Sequence, residues 1–219
     1  MKKIMRALSL AVICGALLLS GCSGAAKVVY QDGMFVDKTH HVNYLDASIS
    51  YEPVSLGEEY AQCGSGKLYM ITGTDPKEWL TDTYGVYYAE GVKLPTLPEM
   101  QPDNVQICIV SSISVGIGEI TDADTIAALV DALENGERVS VPVGETSYQL
   151  KFRSAAVPYL QYCVTYVKCS DGSRYLYDRG EKYAVEIGRL IEKYLPDDND
   201  SAESIVSGLE SSLPEGQPE

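Results

Sequence analysis

The sequence predicts an α+β fold, in which a β-rich N-terminal half precedes a unit with the order strand, helix, three strands, helix. Three patterns support this prediction. The β-branched apolar run Val105–Val110 is typical of a buried strand. Apolar residues between Ile126 and Leu133 recur at the spacing of one helix face. Asp171 and Gly172 separate two apolar runs, as the turn of a β-hairpin does.

The first helix of this unit is expected to begin near Thr121 and to end at Gly136. Thr121 and Asp124 form a start signal, because a hydroxyl can accept a hydrogen bond from a free backbone amide and an acid suits the positive end of the helix dipole. Gly136 supplies the stop. The residues that mark the apolar face are Ile126, Leu129, Val130 and Leu133.

Three strands and a closing helix are expected in the remainder of residues 101–196. The strands are Tyr148–Phe152, Leu160–Lys168 and Tyr175–Asp178. Asp171-Gly172, between the last two strands, favours the positive φ angles of a type I′ turn. One apolar face predicts a helix that ends before Pro196. Its residues are Tyr183, Ile187, Leu190, Ile191 and Tyr194.

Residues 28–100 are predicted to be β-rich, since short apolar stretches alternate there with Gly and Pro. The expected strands are Val28–Tyr30, Ser48–Tyr51, Lys67–Ile71 and Gly85–Ala89. A helical turn is expected to begin at Asp75-Pro76 and to carry Trp79. Prolines punctuate residues 94–102, which places a boundary near residue 100. Residues 28–100 and the α+β region 101–196 are therefore either two parts of one domain or two domains.

The N-terminus has the three parts of a secretory signal, namely a basic start, an apolar run and small residues before a cleavage point. The apolar run, Ala7–Leu19, is too short to cross about 30 Å of hydrocarbon. The stretch Leu19-Ser20-Gly21-Cys22 resembles the lipobox of bacterial lipoprotein precursors. This resemblance, which covers only residues 1–22, implies that the chain is cut before Cys22 and that a diacylglyceryl group is attached to the Cys22 thiol.

Residues 1–21 are accordingly expected to be a lipoprotein signal peptide and residues 22–27 a tether. The lipid on Cys22 would hold the mature chain on the extracytoplasmic face of a bacterial cell membrane or envelope. Two acyl chains make such an anchor durable, because a single chain binds a bilayer only reversibly. The alternative is an ordinary signal peptide in which Cys22 happens to lie near the cleavage site.

The mature chain is strongly acidic. The whole sequence has 17 Lys and Arg against 31 Asp and Glu. Removal of residues 1–21 takes away Lys2, Lys3 and Arg6 and no acid, so 14 bases remain against 31 acids and the net charge is −17. Such a surface repels phosphate backbones and anionic headgroups, so nucleic acid is not expected as a partner. Residues 197–219 lack Lys and Arg and are rich in acids, Ser, Gly and Pro, which predicts an acidic disordered tail.

Four cysteines remain after the signal peptide is removed and Cys22 takes the lipid. They are Cys63, Cys108, Cys163 and Cys169. In an oxidising exterior they could form two disulfides. Cys163 and Cys169 lie on one expected strand, about 20 Å apart at about 3.3 Å per residue, which is too far for a bridge. Each bridge would then join one of these two to Cys63 or Cys108. Four reduced thiols are the alternative.

Motifs for catalysis and for cofactors are nearly absent. No Cys-x-x-Cys pair, dinucleotide-binding glycine loop, phosphate loop or nucleophile elbow occurs, so no cofactor and no metal are expected. His40 and His41 are adjacent, and adjacent residues of a strand face opposite sides, so they do not suit one metal. The alternative function is a small cell-envelope hydrolase that uses either histidine with an acid such as Asp37, or scattered carboxylates. Those carboxylates are Glu58, Glu59, Asp75 and Glu78.

Tyrosine is unusually frequent, with 16 residues against two phenylalanines and one tryptophan. Crowded tyrosines can form a stacking surface for a sugar or a peptide, and they can equally fill half-exposed strands. The candidates are Tyr44, Tyr51, Tyr60, Tyr69, Tyr84, Tyr87 and Tyr88. The sequence thus favours a membrane-anchored, non-catalytic module that binds a protein, a peptide or a glycan.

Replacement of the acceptor cysteine tests the anchor. In Cys22→Ala the chain has no thiol to receive the diacylglyceryl group, so we expect it to stay unprocessed or to leave the detergent-extractable membrane fraction. The measurement is incorporation of radiolabelled fatty acid, followed by fractionation. Cys14→Ala is the control and should keep the label, whereas label that persists in Cys22→Ala would contradict the assignment.

Overall fold

Antiparallel β-sheet dominates the described part of the chain. The computed structural model describes residues 26–110, 114–140, 144 and 146–196, so the predicted signal peptide, Cys22 and the predicted tail 197–219 lie outside the described residues. Within these ranges fifteen strands form two sheets, and there are only two α-helices. The predicted α+β class is therefore wrong, and the fold is essentially all-β.

The strands are numbered along the chain. They are β1 (Val28–Gln31), β2 (Met34–Asp37), β3 (Val42–Asp46), β4 (Tyr51–Pro53), β5 (Leu56–Cys63), β6 (Gly66–Ile71), β7 (Trp79–Thr81), β8 (Val86–Ala89), β9 (Asn104–Val110), β10 (Ser114–Ile120), β11 (Arg138–Val139), β12 (Thr146–Arg153), β13 (Leu160–Lys168), β14 (Arg174–Asp178) and β15 (Tyr183–Glu186). The helices are α1 (Leu97–Met100) and α2 (Ala123–Asn135), and a 3₁₀ turn lies at Glu192–Tyr194.

The first sheet has the strand order β1-β2-β3-β8-β7-β6-β5. It curls so that its two edge strands, β1 and β5, contact each other. A small cluster of buried apolar side chains packs between its strands. The cluster contains Val28, Tyr44, Ala61, Leu68, Leu80, Tyr87 and Ala89.

The second sheet has the order β10-β9-β12-β13-β14-β15-β11, and β4 pairs with the first part of β13. One of its faces packs beneath α2, which buries Ile126, Leu129 and Leu133. The apolar side chains of that face include Val105, Ile107, Leu150, Phe152 and Val164. Because successive side chains of a strand alternate between faces, the residues between these point away from α2.

Most elements predicted in the C-terminal region are confirmed. Val105–Val110 lies within β9 and Tyr148–Phe152 lies within β12, while Leu160–Lys168 coincides with β13 and Tyr175–Asp178 lies within β14. The helix α2 ends at Gly136 as expected, but its N-cap is Asp122, whose carboxylate accepts the Thr125 N–H at 3.1 Å. The carboxylate of Asp122 thus takes the place that the sequence assigned to the Thr121 hydroxyl.

The predicted closing helix is wrong. Tyr183–Glu186 forms β15, because Ala184 and Val185 pair with β14 on one side and with β11 on the other. Gly188 then has a φ of 53°, in the left-handed region that interrupts a helix. Within the described part of the chain, only the 3₁₀ turn is helical in this stretch.

Turns account for the remaining differences. Asp171-Gly172 joins β13 to β14 as predicted, but only Gly172 has a positive φ, so the turn is not type I′. In residues 28–100 the predictions near β1, β6 and β8 are confirmed. Residues 48–50 form a turn that leads into β4. A single helical turn begins at Asp75 as predicted, since its carbonyl accepts the N–H groups of Glu78 and Trp79 at 2.9 and 3.0 Å, and Trp79 is also the first residue of β7.

Both halves of the chain contribute to one large core. Tyr51, Trp79 and Val86 from the first half pack in the same cluster as the apolar face of the second sheet. The proline-rich connector also belongs to it, since α1 buries Leu97 and Met100 there. Strand β4, from the first half, is part of the second sheet.

The fully buried carboxylate of Asp178 links the two halves. Its Oδ1 accepts hydrogen bonds from the Ser50 hydroxyl at 2.6 Å and from the backbone N–H groups of Gly180 and Glu181 at 2.9 and 3.0 Å. Its Oδ2 accepts the Tyr162 hydroxyl. A buried carboxylate is stable only when it is hydrogen-bonded in this way, so Asp178 fixes the turn before β4 against β13 and β14.

Replacement of this carboxylate should destabilise the fold. In Asp178→Ala, two hydroxyls and the Glu181 N–H lose their acceptor inside the protein, and the Gly180 N–H keeps only the Ser50 hydroxyl at 3.2 Å, so we expect the free energy of unfolding to fall by about 3 kcal/mol. Urea titration of the purified protein measures it. Asp131→Ala, at an exposed position of α2, is the control, with an expected change of about 0.5 kcal/mol or less. Equal stability of the two variants would contradict the role given to Asp178.

Candidate functional site

A polar cleft of about 430 Å³ lies on the face of the second sheet that points away from α2. Strands β9, β12 and β13 form its floor. The segment 53–56, which runs from the last residue of β4 to the first residue of β5, forms one wall together with Thr83. The volume lies in the range of small-molecule and peptide pockets.

Strand register brings the polar side chains of the floor together. Lys151 of β12 pairs with Gln106 of β9 on one side and with Cys163 of β13 on the other. Gln161 of β13 pairs with Glu52 of β4. Cross-strand partners point to the same face of a sheet, so these five residues share one surface.

Glu52 is the centre of a hydrogen-bond network at the base of the cleft. It accepts hydrogen bonds from Lys151 Nζ at 2.8 Å, from Gln149 Nε2 at 2.9 Å and from Gln161 Nε2 at 3.2 Å. Burial raises the pKa of the Glu52 carboxyl, but the hydrogen bonds and the charge of Lys151 outweigh burial, so its pKa lies below the ordinary value. Glu52 is therefore ionised at neutral pH.

One cation and one amide of this network are nearly withdrawn from solvent, whereas Gln149 and Arg153 are half-buried. Lys151 is 9% exposed and Gln161 is 4% exposed. Arg153 is held by its Nε, which donates to Gln161 Oε1 at 3.0 Å. Arg153 forms no ion pair within the described part of the chain, whereas Lys151 is paired with Glu52. The network thus leaves one cation of the cleft without a carboxylate partner.

The four cysteines that the structure describes are free thiols. Cys108 and Cys163 are buried beneath the cleft, and Cys63 and Cys169 are partly exposed. Strand β12 lies between Cys108 and Cys163, which separates them by about 10 Å, too far for a disulfide. Burial raises the pKa of the Cys163 thiol well above its usual value, and the charge of Glu52 adds to this effect. The Cys163 thiol is therefore a poor nucleophile.

The structure brings His40, but not His41, against a carboxylate. His40 Nδ1 lies 2.7 Å from Asp37 Oδ2 and 3.0 Å from the Tyr60 hydroxyl, which itself donates to Asp37 Oδ2 at 2.5 Å. Asp37 is fully buried, and its Oδ1 accepts the backbone N–H groups of Thr39 and His40. Burial raises the pKa of Asp37, but these hydrogen bonds outweigh it and the pKa is lowered.

The remaining predicted carboxylates do not join this group through any hydrogen bond of the described residues. Glu59 pairs with Lys67 at 2.6 Å, and Asp75 accepts the Lys77 N–H at 2.9 Å. Glu58 and Glu78 are exposed side chains. Across the described ranges, no group of three or more His, Cys, Asp and Glu side chains is placed to hold a metal ion.

The seven candidate tyrosines are dispersed. Tyr44, Tyr51 and Tyr87 are buried, and Tyr44 and Tyr51 donate to backbone carbonyls. Tyr60, Tyr69 and Tyr88 are half-buried, and Tyr84 is 89% exposed. The tyrosines therefore do not show where a recognition surface lies.

A second and larger cavity, of about 660 Å³, runs along the exposed side of α2. Half of its lining residues are apolar, and the polar half includes the acids Asp103, Asp131 and Glu134. No described element beside it supplies a buried polar side chain that converges on the cavity. The polar cleft is therefore the better candidate site.

Comparison of the chain with protein-family models, with curated proteins and with solved structures finds no match. None of the helices that the structure describes has the length and apolar character needed to cross a bilayer.

Sequence reasoning missed the cleft. One signal was present, since Gln149, Lys151 and Arg153 alternate with apolar residues and predict a polar face for that strand. The decisive partner, Glu52, precedes Lys151 by 99 positions. No local pattern could show that β4 would pair with β13.

Thiol labelling in the absence of reductant tests the state of the cysteines. We expect maleimide to modify Cys63 and Cys169 in the folded protein, and Cys108 and Cys163 only in urea, because burial protects the latter two. Peptide mass spectrometry identifies the sites. Thiols that react in urea only after a reductant is added would show disulfides instead.

Proposed function

We propose that this protein is a membrane-anchored extracytoplasmic binding module, without turnover, whose ligand occupies the polar cleft of the second sheet. The observation that supports this most directly is the network of Glu52, Lys151 and Gln161 at the base of an open cleft, in which Lys151 and Gln161 are nearly buried. A concave site with a few convergent polar groups is the usual form of a ligand site.

Stability alone does not account for this network. Replacing a buried ion pair by apolar residues of similar volume is often neutral or stabilising. The opposite face of the same strands shows that this sheet packs well with apolar side chains such as Leu150 and Phe152. The polar residues are therefore better explained by a ligand that they contact.

The chemistry of the cleft favours binding over reaction. The buried thiol of Cys163, beside the cleft, has a raised pKa, and the carboxylate of the cleft, Glu52, is ionised and already accepts three side-chain hydrogen bonds. A general base must be free to accept a proton from its substrate. These groups are instead suited to fixed, complementary contacts.

The lipid on Cys22 would place the module at the membrane. The predicted tether ends at residue 27, and β1 begins at Val28, so the folded part follows the anchor after a few residues. The acidic surface repels anionic headgroups, which leaves the lipid as the membrane contact.

A cell-envelope hydrolase based on His40 is the second candidate, because His40 Nδ1 lies 2.7 Å from Asp37 as in a catalytic pair. Among the described residues, however, its ring bonds only Asp37 and Tyr60. Burial and the bond to Asp37 raise the pKa of Tyr60, so this hydroxyl is not an activated nucleophile.

The proposed site can be tested by filling it. Ser55 is exposed on the wall of the cleft, so Ser55→Trp should block the cleft without changing the core. We expect ligand-observed NMR with separate pools of oligopeptides, neutral oligosaccharides and acidic oligosaccharides to show saturable binding of at least one pool. Binding should weaken about tenfold or more in Ser55→Trp and stay unchanged in the control Ser170→Trp, at an exposed hairpin position.

Binding that is equal in both variants, or absent for all pools, would contradict a ligand site in the cleft. Hydrolysis of a pool that is lost in His40→Ala would favour the second candidate.

A further inference from the structure

We infer that the cleft recognises the terminal carboxylate of a peptide, and that Arg153 is the residue that binds it. This inference rests on the proposed function and specifies its ligand. It depends on three features of the cleft, namely its charge, the hydrogen bonds that orient Arg153, and the composition of its walls.

The cleft is positive in a protein that is otherwise strongly negative. The charged side chains among the described lining residues are Lys151, Arg153 and Glu52, so cations outnumber the single carboxylate. Glu52 is bonded to Lys151, which leaves the charge of Arg153 uncompensated. An anionic ligand group is the complement of this arrangement.

Arg153 is oriented by the same network. Gln161 donates its Nε2 to Glu52 and accepts the Arg153 Nε at its Oε1, so one amide connects the carboxylate to the guanidinium. With the Nε engaged, the two terminal nitrogens of Arg153 remain as a planar pair of donors. This pair matches the two oxygens of a carboxylate, and a guanidinium held in place loses little entropy when it binds.

The walls favour a peptide over an acidic sugar. Val54 and Leu56 expose 36% and 43% of their surfaces at the cleft and can pack against an apolar side chain. None of the described lining residues is aromatic, whereas sugar rings commonly pack on aromatic faces. The Gln106 amide and the Ser114 hydroxyl, also at the cleft, can bond peptide groups.

The experiment compares one peptide library in two chemical forms. N-acetyl tripeptides that end in Ala, Val or Leu are prepared as free acids and as C-terminal amides, and their dissociation constants for the purified protein are measured by NMR titration. We expect the amides to bind about tenfold more weakly or worse, because the charge-assisted hydrogen bonds to Arg153 are lost.

Variants of Arg153 separate recognition from support of the fold. Arg153→Gln should weaken binding of the free acids about tenfold and leave binding of the amides unchanged. Substitution of Arg153 and amidation of the peptide remove the same interaction, so their effects should not add. Arg153→Lys should recover part of the loss, because it restores the charge but not the planar pair. Arg189→Gln, at a position that is 79% exposed and outside the lining of the cleft, removes the same charge and should change neither form.

Equal binding of acids and amides, or an equal loss of both in Arg153→Gln, would overturn the inference. If Ser55→Trp still blocks binding of the peptides in that case, the proposed function stands without recognition of the terminal carboxylate. Binding of oligogalacturonate in the cleft without binding of the peptide acids would also overturn the inference and leave a binding module. Absence of binding by every pool would overturn both.

Discussion

Four hydrogen-bond donors surround the buried carboxylate of Asp178. Two of them, Ser50 and Tyr162, come from elements that are far apart in sequence. Gly180 contributes a third through its backbone, and the packing there is so close that a Cβ at this position would collide with Ser48. An unpaired carboxylate could not remain inside the protein, so the donors must stay together whenever the chain is folded. The association of the two halves therefore depends on this polar contact as well as on the shared apolar core.

The same contact determines where the cleft forms. Ser50 lies two residues before Glu52, and its carbonyl accepts the Cys163 N–H at 2.7 Å. The turn held by Asp178 thus places β4 beside the edge of β13, and β4 places Glu52 within hydrogen-bonding distance of Lys151. The wall of the cleft follows directly, because residues 53–56 continue from β4. Folding and the assembly of the site are consequently one process.

Local sequence patterns predicted the elements whose stability is local and failed where partners are distant. The strand at Val105–Val110 and the helix that carries Leu129 have an unambiguous period, and both are confirmed. The apolar spacing from Tyr183 to Ile191 also fits a helix, but pairing with β14 and the left-handed Gly188 outweigh it.

Strands such as β10, with two glycines, and β5, with polar residues on much of its length, have no clear alternation and were missed. The cleft was not predicted for the same reason, because it depends on partners that are distant in sequence. Its polar residues on β12 could be seen in the sequence as one face of a strand, but the sequence does not show whether that face meets solvent, another sheet or a ligand.

The polar groups on this face of β12 and β13 form one series of hydrogen bonds. Glu52 neutralises Lys151 and orders Gln161, and Gln161 in turn orders Arg153, so each group in the series is satisfied by the one before it. The series ends at the guanidinium, the one group for which the described residues supply no carboxylate. In a mature chain expected to carry a charge of −17, surface acids repel most anions, and the ordered cation in the cleft gives an anionic group one favourable place to bind. This order within the network supports the proposal that the cleft binds an anionic group.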